Sequence, residues 1–231
     1  MRTALSDFKE SVDIIGSVAN SLSSAINIRS DELKKSDTIS CGCVLLMTGN
    51  FESFLKGIMK AFINELNGFG IPVEQLPEDF LHAHFQKGGA MLGRYAKEAK
   101  KGNKDMFDVH DLSERIASVN GPTSSYKLAW EAFTDTQANP GPDVVKSLLV
   151  GVGVKDVWGN INNLISQGRM DMFLTSFVAI RNVCAHTGSH PNPPTGAELQ
   201  DACDKFQDLS VAIFLLLEDK LDELNPTNSR S

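Results

Sequence analysis

Apolar residues return at three- and four-residue steps along nearly the whole chain, and that period belongs to the helix rather than the strand. Residues 6 to 26 carry Phe8, Val12, Ile15, Val18, Leu22 and Ile26 in this rhythm, with Ser6 as the expected cap. Residues 37 to 67 read as one long helix, with Val44, Leu45, Phe51, Leu55, Ile58, Met59, Phe62 and Leu66 on a broad apolar stripe. Asn67-Gly68 and Pro72 supply its stop. Further helices are expected over residues 78 to 101, 111 to 119, 123 to 137, 143 to 150, 155 to 167 with Gly168 closing it, 170 to 184, and 197 to 224. The last carries Leu199, Cys203, Phe206, Leu209, Ile213, Leu216, Leu217 and Leu221 on one face. Val150 to Val154 alternates, but it is short and broken by glycine, so no strand is expected.

The fold class is therefore all-α, a helical bundle with extra helices and long loops. Asn139-Pro140-Gly141-Pro142 breaks the chain. It reads as a loop within one domain spanning residues 1–231, because both halves offer apolar stripes that need a partner. A chain of 231 residues can bury a core without a disulfide or metal staple. Cys41, Cys43, Cys184 and Cys203 fit no zinc spacing, and the charged start MRTALSDFKESVD lacks the apolar centre of a signal peptide. No uninterrupted run of about 18 apolar residues occurs, so no membrane span is expected. These features describe a cytoplasmic protein with reduced, structural thiols.

The formal net charge of −7 excludes a chain that coats nucleic acid through its overall field. It leaves room for a small cationic site. The basic run Lys97, Lys100, Lys101 and Lys104 reads first as a solvated helix end favoured by the helix dipole, and second as a cleft lining.

The most informative segment is Phe177-Val-Ala-Ile-Arg-Asn-Val-Cys-Ala-His-Thr-Gly188. An arginine and a histidine lie five residues apart where an apolar helix runs into a loop rich in proline and glycine. In a regular helix that spacing separates them by about 140°. They converge best if the helix ends or distorts between them, and Thr187-Gly188 with the following prolines points to such an ending. Histidine titrates near neutrality and can give or take a proton. Arginine keeps its charge, and its fork matches phosphate oxygens.

Arg181-Asn182-x-x-x-His186 resembles the motif of the HEPN ribonucleases, with the style of the RiboL-PSP or MAE-type group. The flanks agree: an apolar helix before it, Thr-Gly after the histidine, and a long amphipathic helix beyond. Phe51-Glu52-x-x-Leu55 is similar to that group's early helix. The resemblance covers about residues 37 to 66 and 170 to 222, and it departs from simpler members in the proline-rich loop after Gly188. It implies a metal-independent endoribonuclease, a toxin or antiviral defence effector, that leaves a 2′,3′-cyclic phosphate and needs no cofactor. It also implies a homodimer in which Arg181 and His186 of both chains line one cleft, with RNA as substrate and an antitoxin or other regulatory protein as a further partner. Asn182 would orient His186 or the ribose.

Glu52 would contact Arg181, or else form only an exposed ion pair with Lys56 four residues on. The rival readings are a catalytically silent HEPN domain that binds nucleic acid, and a helical partner-binding module in which Arg181 and His186 are buried. Cys184, His186 and His190 make a poor zinc set. His82 and His84 point in different directions on one helix. Gly151 to Lys155 lacks the ending of a phosphate loop, and Trp130 and Trp158 read as core.

Overall fold

The computed structural model describes residues 1–23, 30–102, 108–120, 126–136, 140–165 and 168–225. Ile26, Lys104, Asn139 and the polar tail after Asn225 lie outside these. Among the described residues there are eight α-helices and no strand: α1 (Arg2–Ser23), α2 (Ser30–Gly68), α3 (Glu78–Lys100), α4 (Val109–Ser118), α5 (Pro142–Val150), α6 (Val157–Leu164), α7 (Met170–Thr187) and α8 (Gly196–Leu224).

The central member is α2. Phe51, Phe54, Leu55, Ile58, Met59, Phe62, Ile63 and Leu66 on it are all buried, and α1, α7, α8 and the short 3-10 turn Trp130–Phe133 pack around it. The stretch Lys34–Gly68 is long and apolar enough to cross a membrane by length and composition alone. Coverage of its apolar side by neighbouring helices accounts for that composition. A chain of rings ties three helices to it: Phe8 stacks on Phe54 at 5.0 Å, Phe51 meets Phe206 edge-on at 5.1 Å, and Phe173 and Phe177 meet Phe206 at 5.2 and 5.0 Å. Buried aromatic pairs of this kind add about 0.5–1.5 kcal/mol beyond their area.

All four cysteines are free and buried. The Cys184 thiol of α7 donates to the Cys41 sulfur of α2 at 3.0 Å. Burial first, and the neighbouring Cys41 second, push the Cys184 thiol up to about 12. Burial does the same to Cys203, also to about 12.

Several expectations need correction. The first helix starts at Arg2, so Ser6 is inside it and does not cap it. Val18 and Leu45 are exposed, and Ala19 takes the inward place on α1. The helix after Lys155 stops at Leu164, with Ile165 extended, so Gly168 lies beyond its end. The largest departure is residues 123 to 137, where the described part is an extended segment followed by the 3-10 turn Trp130–Phe133. There, side chains replace helical partners. Asn67 donates its amide to the Leu128 carbonyl at 3.1 Å and accepts from the Leu128 N–H at 2.8 Å. His84 Nε2 accepts from the Ala129 N–H at 2.9 Å.

His84 is wholly buried, and its Nδ1 has no partner among the described residues. Burial, with a smaller push from the Arg115 charge, lowers its pKa from 6.5 to about 4. The unfolded chain therefore binds a proton between those values that the folded chain refuses. This contribution is fully present above about pH 6.5 and is lost as the pH falls toward 4, by up to roughly 3 kcal/mol. Urea melts of the wild type should lose midpoint steadily over that range, whereas His84→Gln should be weaker at pH 7 but flatter below it. Phe206→Ala should cost about 3–5 kcal/mol in the same melts, because it empties the centre of the ring cluster. A thiol-disulfide reagent at pH 8 should label none of the four cysteines rapidly until denaturant is added, since thiolate character and access both govern that reaction.

Candidate active site

Helix α7 carries the motif. Its inward face is set by Met170, Leu174, Phe177, Val178 and Cys184, all buried. The helix neither ends nor distorts between Arg181 and His186. It continues to Thr187 and is closed by Gly188, whose φ of +70° suits glycine and whose N–H bonds the Cys184 carbonyl at 3.0 Å. The expected end at residue 184 is therefore three residues short. Arg181 and His186 keep the regular separation of about 140° around the axis and about 7.5 Å along it. One chain does not converge them.

Arg181 is half-buried, on the side of α7 that turns toward α2. Its Nη1 donates to Asn182 Oδ1 at 3.2 Å. Its charge also acts on Glu52 of α2. Glu52 is more than the exposed i,i+4 pair of the simpler reading. Lys56 Nζ donates to its Oε1 at 2.6 Å, and Thr136 Oγ1 donates to the same oxygen at 2.6 Å. Burial would raise the Glu52 carboxyl, but the hydrogen bonds from Lys56 and Thr136 and the charges of Lys56 and Arg181 outweigh it and hold the group below the usual carboxylate range. Lys56 pairs with Glu52 directly, and the Arg181 charge acts on it without an ion pair between the two. Thr136 had no sequence signal: it lies 84 residues from Glu52 in a segment expected to be helical.

His186 is exposed and makes no hydrogen bond with another described residue. No hydrogen bond joins Asn182 to His186, and the Asn182 carbonyl oxygen accepts from Arg181. The outward stripe of α7 is Met172, Thr175, Ala179, Val183 and His186 at three- and four-residue steps, exposed except for half-buried Val183. Met172 at 58% exposure is the largest apolar group on it.

The loop after Gly188 is pinned at both ends. Thr187 Oγ1 bonds the Ser189 carbonyl, and the Asn192 N–H donates to His190 Nδ1 at 3.1 Å. Ser40 of α2 donates to the Pro194 carbonyl at 2.5 Å. Thr195 and Glu198 then close a reciprocal capping box on α8.

The remaining candidates are placed elsewhere. Cys184 faces Cys41 and His186 faces outward, so they do not share a site with His190. Among the described residues no three His, Cys, Asp or Glu side chains gather to hold a metal ion. Lys97 and Lys100 on α3, and Lys101 just past its end, are exposed, and α3 packs mainly on α4 and the 130–133 turn rather than on α7. Lys101 pairs with Glu98 at 2.6 Å. Trp158 is half-buried, and so is Trp130, which carries Lys60 over its ring at 4.3 Å. His82 is exposed.

No curated protein and no solved structure matches the chain. The family RiboL-PSP-HEPN matches it over residues 6–219. That span includes the middle of the chain, where the motif-based resemblance was silent. With Arg181-Asn182-Val-Cys-Ala-His186 carried on one helix of an all-helical fold and a match across nearly its whole length, the chain belongs to the RiboL-PSP-HEPN family.

Proposed function

We propose that the protein is a metal-independent endoribonuclease that works as a homodimer in the cytoplasm, as a toxin or antiviral defence effector. The observation that carries this reading is the state of the two motif residues on α7. Arg181 donates to Asn182 and its charge acts on Glu52, while His186 stands exposed with no described partner to engage its ring. A buried pair locked in internal contacts would favour the partner-binding module. The cellular role rests on family analogy, since the fold alone does not assign it.

The chemistry is an internal transesterification. A base removes the 2′-hydroxyl proton, the 2′-oxygen attacks phosphorus, and the 5′-oxygen leaves with a proton from an acid. The products are a 2′,3′-cyclic phosphate and a 5′-hydroxyl. One imidazole cannot be base and acid to opposite sides of the phosphate at once. His186 from two chains supplies both, and proton transfer of this kind contributes roughly 10² to 10⁴ in rate. Arg181 stabilises the charge on the phosphorane oxygens. The about 140° separation within one α7 supports this arrangement, since a twofold partner is what brings a second arginine and histidine to the same phosphate. The apolar and small residues Met172, Ala179 and Val183 on the outward stripe offer the contact.

Labelled structured RNA in EDTA should be cut by the wild type to 2′,3′-cyclic phosphate ends. His186→Ala and Arg181→Ala, matched for folding, should each lose about 10²-fold or more. RNA binding without cutting would identify the silent HEPN domain instead. Light scattering should give a dimer mass, and Val183→Glu on the outward stripe should yield an inactive monomer. Full activity in a monomeric variant would sink the composite site.

A further inference from the structure

Two of the four buried cysteines lie against each other, and one of them is inside the motif. Cys184 stands three residues after Arg181 and two before His186, on the inward face of α7. Its thiol donates to the Cys41 sulfur of α2, and the two sulfurs are 3.0 Å apart. A disulfide holds its sulfurs about 2.0 Å apart, so closing this pair needs a shift of only about 1 Å. The two helices already pack on each other. The juxtaposition is selective. Cys43 and Cys203 are also free and buried, but among the described residues no hydrogen bond joins them to each other or to this pair.

We propose that Cys41 and Cys184 form an oxidation-driven latch, in which a peroxide converts the pair to a disulfide that fastens the motif helix α7 to α2. The inference stands apart from the ribonuclease reading. The chemistry is a two-electron oxidation. Cys184 directs its S–H toward Cys41, which leaves the Cys41 sulfur to attack a peroxide oxygen. The O–O bond breaks, Cys41 becomes a sulfenic acid, and one water leaves. The Cys184 sulfur then attacks the Cys41 sulfur. The S–O bond breaks, and hydroxide departs with the Cys184 proton as a second water. In total, two thiols and one hydrogen peroxide give one disulfide and two waters. The fold supplies what the second step needs, a resolving sulfur already in contact, so that capture outruns further oxidation.

Burial sets the rate. Both thiols are covered, so the oxidant must be small or the helices must part briefly. Closure then takes minutes to hours rather than seconds. The same cover shields the finished disulfide from reductants. The bond would join residues 143 apart in sequence, and a closure that long removes much of the unfolded chain's freedom.

The test treats reduced, full-length protein with hydrogen peroxide in native buffer, with and without urea below the unfolding transition. Free thiols are then counted in denaturant and the peptides mapped by mass spectrometry. Two of the four thiols should be lost, in one linked peptide pair joining Cys41 to Cys184, and faster with urea. Oxidised wild type should melt about 10 °C above reduced wild type. Dithiothreitol in denaturant should reverse both changes. Cys41→Ala and Cys184→Ala should each lose the link and the gain in melting temperature. The wild type is compared with itself before and after oxidation, so the result holds even if a variant folds poorly. Four free thiols after peroxide in urea would overturn the latch. So would sulfinic acid on either cysteine in place of the link, a link through Cys43 or Cys203, or a linked pair with no rise in melting temperature.

Discussion

Burial of α2 is the constraint on which the other elements depend. A 39-residue helix with one side lined by phenylalanine and aliphatic side chains cannot stay in water alone. Burying each large side chain is worth roughly 1.5–3 kcal/mol, and the surrounding helices supply the cover. Phe8 comes from α1, Phe206 from α8, and Phe173 and Phe177 reach the same cluster through Phe206. The consequence for function is direct. The N-terminal half of α2 also holds Cys41 against Cys184 and Ser40 against Pro194. One helix therefore fixes both the motif helix and the loop that follows it.

The same helix sets the electrostatics. Glu52 lies one residue after Phe51, so the packing that buries the ring carries the carboxylate toward Arg181. A carboxylate with only 18% of its side chain exposed must be compensated, and Lys56, Thr136 and Arg181 provide that.

The helical class and the stripes of α2 and α8 were legible because long apolar periodicity survives any tertiary detail. The motif was legible as a sequence string, but its geometry was not. Thr187-Gly188 does end the helix, yet after His186 rather than before it, because the Gly188 cap closes on the Cys184 carbonyl. Residues 126 to 136 were misread for a different reason. Asn67 and His84, on two other helices, take the backbone groups of Leu128 and Ala129 that a helix would have used. No local pattern announces partners 61 and 45 residues away. Thr136 was missed through the same long-range effect.

Correcting the end of α7 changes the mechanistic argument rather than its conclusion. Had the helix broken between Arg181 and His186, one chain could have folded both groups onto one phosphate, and dimerisation would have been optional. A continuous helix points Arg181 inward to Glu52 and His186 outward along the stripe of Met172, Ala179 and Val183. Rigid placement on a helix gives precision, since neither side chain depends on a mobile loop. On the proposed composite-site reading, a helix too regular to bring its own Arg181 and His186 together is what would make a second copy necessary.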